Sequence, residues 1–154
     1  NELDITDSID LYGVSKRLGE VDYSNAITLR TSIIGHELIG HRSLIDWFLS
    51  QKEAVRGFTQ AIFSGLPTVE IAKLIRDFVI PNPDLTGVYH VSAEPISKHE
   101  LLCLVADIYG KTIKITKDSD FKIDRSLDSS RFREVTGFSP LAWPELIRSM
   151  HEFK

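Results

Sequence analysis

Residues 12–16 of the chain read Tyr-Gly-Val-Ser-Lys, which sets a tyrosine and a lysine four positions apart. If this segment is helical, Tyr12 and Lys16 lie one turn apart on the same face. A free tyrosine is a poor proton donor at neutral pH because its pKa is about 10. A fixed ammonium nearby favours the phenolate form and brings a phenol closer to the working range of an acid–base catalyst. Such pairs also arise by chance, so the surrounding sequence has to decide whether this one carries chemistry.

The composition limits the class of protein. At 154 residues the chain is long enough for one domain or for part of a larger one. Its formal net charge of −4 gives no support for binding to nucleic acid or to a membrane surface. Cys103 is the only cysteine, which excludes an internal disulfide and favours a cytoplasmic location. The histidines lack the spacing of a metal site, so no bound metal is expected.

Hydrophobic periodicity predicts helices that alternate with buried strands. The segments 26–34 and 87–92 carry apolar residues on both faces, as buried parallel strands do. Helices are predicted from a cap at Asp7 or Ser8 to Val21, and at about 41–51, 68–80, 97–109, 128–136 and 144–150. Thr68 is predicted to be the N-cap of its helix, Ser97 and Glu100 to form a capping box, and Gly110 to end the helix that follows them. Shorter extended pieces are predicted at 55–58, 112–116 and 120–127.

This alternation predicts an α/β fold with a parallel sheet. Two strong central strands are too few for a complete doubly wound sheet, so we expect about half of one. The chain also begins without methionine and reaches the tyrosine–lysine motif almost at once. We therefore expect that a first half precedes it.

Further motifs follow the tyrosine–lysine pair in a fixed order. They are Leu-Gly-Glu at 18–20, Leu-Arg-Thr-Ser at 29–32, Gly-Leu-Pro-Thr at 65–68, Gly-Val-Tyr-His at 87–90, Ser-Lys-His-Glu at 97–100 and Leu-Asp at 127–128. Their order and spacing resemble the extended short-chain dehydrogenase/reductase superfamily, and within it best the dTDP-4-dehydrorhamnose reductases. The resemblance extends along essentially the whole chain and corresponds to the C-terminal half of such an enzyme.

The resemblance implies roles for residues near the start of the chain. Tyr12 would donate a proton to the carbonyl oxygen being reduced, and Lys16 would hold the nicotinamide ribose and make the tyrosine more acidic. Thr31 and Ser32 would lie beside the nicotinamide of NADPH or NADH, mostly through backbone contacts. Arg30 would also touch the cofactor, although an ion pair between this strand-end arginine and a carboxylate is an equal alternative.

The resemblance also implies a division of the chain and a substrate. Residues 1–35 would complete the dinucleotide-binding domain, an incomplete Rossmann-like, doubly wound parallel sheet. Residues 36–154 would form a small α/β substrate-binding domain, with 67–92 returning a helix and a strand to the first sheet. Arg125 and Arg131 would grip the diphosphate of a nucleotide-linked 4-keto sugar. A homo-oligomer is left open.

One family feature is absent from the sequence. None of the nine glycines forms the G-x-x-G-x-x-G or G-x-G-x-x-G run that binds the cofactor phosphates. We therefore expect the isolated chain to be catalytically inactive and to bind the cofactor weakly.

Two other functions stay open at this point. A nucleotide-sugar epimerase or dehydratase of the same superfamily would keep the same tyrosine–lysine pair. A non-catalytic interaction module derived from this fold would have lost its first half. Reading the gene upstream of Asn1 would separate them, since an enzyme requires a strand followed by a glycine-rich turn there.

Overall fold

A computed structural model of the chain describes residues 1–4, 10–21, 23–40 and 42–153. The predicted helix cap at Asp7 or Ser8 lies outside these residues. The elements are α1 (Leu11–Leu18), β1 (Ile27–Arg30), β2 (Ile33–Ile34), α2 (Leu44–Ser50), β3 (Val55–Phe63), β4 (Leu66–Pro67), α3 (Thr68–Leu74), a π-helical segment (Ile75–Val79), β5 (Gly87–His90), β6 (Ile96–Ser97), α4 (Lys98–Ile108), β7 (Ile115–Asp124), α5 (Ser130–Thr136) and α6 (Trp143–Glu152).

Parallel pairing dominates the sheets of the described residues. β1 pairs with β5 in parallel, so that Arg30 and His90 stand opposite each other at the carboxyl ends of the two strands. β2 pairs in parallel with β4. In the third sheet, β3 pairs in parallel with β7 and antiparallel with the short β6. Parallel neighbours joined by helical crossovers confirm the predicted α/β class.

Several predicted element boundaries were wrong. The strand predicted over 26–34 is divided into β1 and β2, and residues 31 and 32 lie between them. The extended pieces at 112–116 and 120–127 are replaced by one strand, β7, because this segment pairs with β3 over most of its length. The strand predicted at 55–58 likewise continues to Phe63. These strand boundaries depend on pairing with a strand that is distant in the sequence. Local periodicity cannot predict that pairing.

Helix ends were predicted with mixed success. The capping box of α4 is confirmed, since Ser97 Oγ accepts from the Glu100 amide at 3.1 Å and Glu100 Oε2 accepts from the Ser97 amide at 3.2 Å. Gly110 follows α4 with a φ of 65°, as a helix-terminating glycine does. Thr68 was predicted as an N-cap, but it is the first residue of α3, and its hydroxyl donates to the Ile34 carbonyl at 3.3 Å. The side chain thus joins α3 to β2 and does not cap the helix.

The hydrophobic core is one cluster that extends over all three sheets and includes side chains of α2, α3, α4, α5 and α6. Its fully buried side chains include Ile45, Phe48, Leu101, Leu102, Val105, Phe132, Leu146 and Ile147. Helix α1 contributes no buried residue from the range 11–18. The helix that carries the tyrosine–lysine motif therefore lies outside the core.

Gly65 follows β3 and lies directly against the backbone of Ser32, which follows β1. A Cβ atom at this position would overlap the Ser32 carbonyl and the Phe63 ring. We expect Gly65→Ala to lower the free energy of unfolding by about 2–3 kcal/mol, because the backbone of Ser32 has to move to relieve the overlap. Denaturant unfolding followed by circular dichroism measures the change.

Gly19→Ala is the matched control. A Cβ at Gly19 would meet the carbonyl oxygens of Lys16 and Ser15 at ordinary distances of 3.5 and 3.6 Å. The variant should unfold within about 1 kcal/mol of the wild type. Equal stability of the two variants would contradict the importance of the contact between Gly65 and Ser32.

Candidate functional site

Helix α1 presents the tyrosine and the lysine to solvent on one face. Asp10 caps the helix by accepting from the Gly13 amide at 2.7 Å, which fixes where the first turn begins. The Tyr12 side chain is 74% exposed. The Lys16 ammonium lies 5.3 Å from the centroid of the Tyr12 ring, within the range of a cation–π contact. The spacing predicted from the sequence thus brings an exposed phenol and an ammonium together on an accessible surface.

Glu20 and Arg30 join the end of α1 to the end of β1. Arg30 Nε donates to Glu20 Oε1 at 2.7 Å and Arg30 Nη2 donates to Glu20 Oε2 at 2.8 Å. This two-pronged hydrogen bond lowers the pKa of Glu20, against the effect of partial burial. Both side chains are about one-fifth exposed. The predicted ion pair between Arg30 and a carboxylate is therefore present, and contact of Arg30 with the cofactor stays a prediction.

His90 stands beside Arg30 on the neighbouring strand and is 5% exposed. Its Nε2 lies 3.4 Å from Arg30 Nη1, and its backbone amide donates to Glu2 Oε1 at 2.8 Å. Arginine has no acceptor, so a hydrogen bond between them requires an unprotonated Nε2 and places the ring proton on Nδ1. Burial is the main reason that the pKa of His90 is lowered, in agreement with the neutral form.

Thr31 and Ser32 lie where β1 ends, as expected for the carboxyl edge of a parallel sheet. Both are partly buried. The Ser32 carbonyl accepts from the Leu66 amide at 2.9 Å, and the Thr31 hydroxyl donates to the same carbonyl at 3.2 Å. These bonds fix the backbone of the segment between β1 and β2. Open α/β sheets bind ligands at this edge.

The two arginines predicted to grip a diphosphate have different surroundings. The Arg131 guanidinium lies over the Tyr89 ring, 4.7 Å from its centroid, and Nη1 donates to the Val88 carbonyl at 3.2 Å. Arg131 therefore packs α5 against β5. Arg125 follows β7 and lines a cavity of about 300 Å³ between β3, β7 and α4. The side chain of Arg125 thus borders a space large enough for a ligand group.

A polar chain near α2 was not predicted from the sequence. Asp46 Oδ1 lies 2.7 Å from His36 Nδ1, and His36 Nε2 lies 2.8 Å from the Tyr109 hydroxyl. Burial and the Asp46 charge raise the pKa of Tyr109 to about 12, so its hydroxyl stays protonated at neutral pH. These residues come from the loop after β2, from α2 and from the end of α4, and nothing in the sequence pattern joins them.

Asp46 anchors the loop that follows β2. Burial acts to raise its pKa, but hydrogen bonds from the Glu37 amide, His36 and Ser43 outweigh burial and lower the pKa below 3.8. A lowered folded-state pKa adds stability above the unfolded-state pKa, and this contribution is lost as the pH falls through the folded-state value.

We expect Asp46→Asn to lower the free energy of unfolding at pH 7 by about 1–3 kcal/mol, since charge-assisted bonds are lost. The difference from the wild type should begin to shrink below about pH 4, where the carboxyl of the unfolded state takes up a proton, and should be lost once the pH falls through the lowered folded-state pKa. Asp107→Asn, at an exposed position of α4, is the control and should change stability by less than about 0.5 kcal/mol. A difference that does not depend on pH would show that the carboxylate charge is not the cause.

No protein-family model and no curated protein matches the chain. Several solved structures do superpose on it. A dTDP-4-dehydrorhamnose reductase from Bacillus anthracis, in complex with NADP, matches with a TM-score of 0.71 and 17% identity over 99% of this chain and 58% of the reductase. A hypothetical dTDP-4-dehydrorhamnose reductase from Sulfolobus tokodaii matches with a TM-score of 0.72 and 25% identity over 93% of this chain and 55% of its own length.

The chain shares its fold with the extended short-chain dehydrogenases/reductases. The partial Rossmann-like architecture predicted from the motifs is confirmed. A UDP-N-acetylglucosamine 4-epimerase from Bacillus cereus matches comparably, with a TM-score of 0.70 and 16% identity over 99% of this chain and 57% of the epimerase. The chain spans a little over half the length of these three proteins.

Two structural features are absent from the described residues. None of the helices there is long and apolar enough to cross a membrane. That part of the chain also holds no group of three or more histidine, cysteine, aspartate or glutamate side chains arranged to bind a metal ion.

Proposed function

We propose that the chain is part of an NAD(P)H-dependent reductase of a nucleotide-linked 4-keto sugar, similar to dTDP-4-dehydrorhamnose reductase and serving deoxysugar biosynthesis. The observation that carries this proposal is the exposed Tyr12–Lys16 pair, which the Glu20–Arg30 ion pair ties to the carboxyl end of β1. In the fold that the chain shares, an acid–base pair at this edge of a parallel sheet is well placed to act on a bound ligand.

The residues have separate roles in this proposal. Tyr12 donates its phenolic proton to the substrate carbonyl oxygen as negative charge develops there. The Lys16 ammonium stabilises the phenolate that remains and donates hydrogen bonds to a ribose hydroxyl. The backbone of Thr31 and Ser32 borders the nicotinamide. Arg30 keeps its guanidinium on Glu20 and orients α1 relative to the strand end.

The hydrogen-bond donors of Tyr12 and Lys16 fit the nicotinamide end of the cofactor. An exposed phenol and an ammonium on one helical face suit the ribose and the reacting carbonyl, and the bound cofactor supplies the hydride. The sequence has no glycine-rich phosphate loop. The residues of this chain would therefore hold the nicotinamide end of the cofactor without its diphosphate.

The absence of that loop from the sequence leads to a direct test on the purified 154-residue chain. We expect no measurable NADPH-dependent reduction of a dTDP-linked 4-keto sugar, and little or no binding in a titration followed by NADPH fluorescence. The reason is that the cofactor diphosphate supplies much of the binding energy in this fold, through a helix N-terminus. A complete dTDP-4-dehydrorhamnose reductase is the positive control. Turnover by the chain alone would contradict the prediction.

The proton-donor role of Tyr12 is tested in the complete enzyme that the proposal requires, with the first half supplied. Tyr12→Phe should lower kcat by about 10²–10⁴-fold, since the general acid is removed. The Kd for NADPH should stay nearly unchanged because Lys16 and the strand end are intact. Tyr23→Phe, at a position that is 66% exposed, is the control and should retain full activity. Unchanged kcat in Tyr12→Phe would refute the role.

A second function deserves a test because the Bacillus cereus epimerase superposes on the chain nearly as well as the reductases do. An epimerase or dehydratase would return the hydride to the sugar and show no net oxidation of the cofactor. Release of one oxidised nicotinamide per substrate consumed supports the reductase. Product formation without net cofactor oxidation supports the alternative.

The gene sequence upstream of Asn1 distinguishes the third function, a non-catalytic interaction module, from an enzyme. A strand followed by a glycine-rich turn encoded upstream of Asn1 supports the enzyme. A start codon close to Asn1 supports the module. The predicted cytoplasmic location and the question of a homo-oligomer are independent of this choice.

A further inference from the structure

His90 is a buried polar group at the carboxyl end of β5 to which the proposed reaction gives no role. Its neighbour Tyr89 packs edge-on against Phe132 of α5, with the ring centroids 5.8 Å apart. Successive side chains of a strand point to opposite faces of the sheet. The His90 side chain therefore lies on the face away from α5, where the Arg30 guanidinium also lies.

The His90 ring has a cost for the fold. Its Nδ1 is buried, and in the described part of the chain no group reaches this nitrogen with hydrogen-bond geometry. A buried polar atom without a partner destabilises the folded state, and the large majority of such atoms in proteins are hydrogen-bonded. An apolar side chain of similar size would avoid the cost. Packing alone therefore does not explain a histidine at position 90.

The other ring nitrogen of His90 meets the part of the Arg30 guanidinium that Glu20 leaves open. Glu20 accepts from Arg30 Nε at 2.7 Å and from Arg30 Nη2 at 2.8 Å. The remaining nitrogen, Nη1, lies 3.4 Å from His90 Nε2. The guanidinium is planar and rigid, so it cannot turn without breaking one of these contacts. Arg30 is thus held from two sides, by the residue that follows α1 and by β5.

The surroundings of His90 favour a neutral ring that can accept a hydrogen bond. The described charged groups that face it or its partner are the Asn1 amino group, Glu2, Glu20, Arg30 and Asp128. Burial disfavours the protonated ring most, and the charges of the Asn1 amino group and Arg30 act in the same direction. The Glu2 charge and the nearby Asp128 backbone act in the opposite direction, but the pKa of His90 is still lowered.

We propose that His90 is a positioning residue, whose Nε2 holds the Arg30 guanidinium on Glu20. This contact fixes the end of α1, and with it Tyr12 and Lys16, relative to the carboxyl end of β1. The inference rests on the proposed function for the chemical role of the tyrosine and the lysine. His90 acts through Arg30 and has no contact with the reacting atoms in this proposal.

Nuclear magnetic resonance of the ¹⁵N-labelled 154-residue chain tests the proposal without any reaction. We expect the His90 ring at neutral pH to carry its proton on Nδ1 and none on Nε2. The Arg30 Nε–H group should give a separate signal that exchanges slowly with water, because it donates to a carboxylate. A proton on His90 Nε2 would overturn the proposal, since that nitrogen could then accept nothing from arginine.

Two replacements of His90 separate its acceptor from its packing. His90→Gln keeps an acceptor, because the amide oxygen can reach the position of Nε2, whereas His90→Leu fills the space without one. We expect His90→Leu to speed the exchange of Arg30 Nε–H with water by about fivefold or more, and His90→Gln to stay within about twofold of the wild type. His99→Gln, on α4 against Gly57, is the control and should leave the exchange unchanged. Equal exchange in the two His90 variants would overturn the proposal.

A pH titration of the wild-type chain is the independent measurement if His90→Leu fails to fold. Protonation of His90 turns Nε2 into a donor and removes the acceptor for Arg30. The lowered pKa places this change below the usual value of 6.5, where Glu20 remains ionised because its own pKa is lowered. We expect the Arg30 Nε–H signal to shift in step with the titration of His90, and to show no such shift in His90→Gln. A wild-type signal that does not follow His90 would refute the contact.

The consequence for the reaction is measured in the complete enzyme. His90→Leu should lower kcat by about tenfold, because Tyr12 loses its alignment, and His90→Gln should restore kcat to within about twofold of the wild type. Unchanged kcat in His90→Leu, or equal loss in both variants, would overturn the positioning role. The resonance measurements need neither NADPH nor substrate, so their failure is distinct from failure of the proposed reaction. A complete enzyme that reduces no keto sugar would refute the reaction and leave the contact between His90 and Arg30 intact.

Discussion

The two-pronged hydrogen bond between Glu20 and Arg30 determines where the candidate site lies in the fold. Helix α1 buries no side chain from the range 11–18, so apolar packing does not position it. The ion pair, together with the bonds between Val21 and Thr28, joins the residues that follow the helix to β1. A bidentate arginine–carboxylate pair restrains direction as well as distance. Tyr12 and Lys16 thus depend on a polar contact for their position relative to the sheet.

The same ion pair also orients Arg30 towards its neighbour His90. Because Glu20 takes up two of the Arg30 nitrogens, the remaining Nη1 points to the histidine Nε2 across the β1–β5 pair. Burial is the main cause of the lowered pKa of His90, and the positive charge of Arg30 lowers it further. Carboxylate, guanidinium and neutral imidazole therefore form one connected group at the carboxyl ends of two parallel strands. Replacing any one member changes the electrostatic surroundings of the other two.

The sequence predicted best what depends on nearby residues. The spacing of Tyr12 and Lys16, the capping box of α4 and the glycine that ends it all follow from local geometry, and the structure contains each of them. The α/β class followed from alternating periodicity. The order of several individually weak motifs identified the shared fold, although no single motif was specific.

Features that depend on contacts between distant segments were not predicted. Whether Thr68 caps α3 or reaches Ile34 is decided by the packing of β2 beside β4, which local sequence does not encode. The chain from Asp46 through His36 to Tyr109 joins three separate elements. Arg125 and Arg131 look alike as sequence candidates, yet Arg131 packs on Tyr89 and Arg125 borders a cavity. Side-chain surroundings of this kind exist only after the elements have packed.

Lys98 shows how a conflict between local stability and environment can indicate function. A cation in the first turn of a helix opposes the dipole, and partial burial without a counter-ion adds to the cost. Natural sequences mostly agree with their local structure, and the exceptions concentrate where a ligand binds. Cation–π contacts with Trp47 and Phe58 offset part of the cost, but no described carboxylate pairs with the ammonium at the cavity that Lys98 and Arg125 line. An anion entering the cavity would gain the full electrostatic interaction with an ammonium that has already lost part of its water. Such preorganisation makes a charged contact stronger than the same contact on an exposed surface.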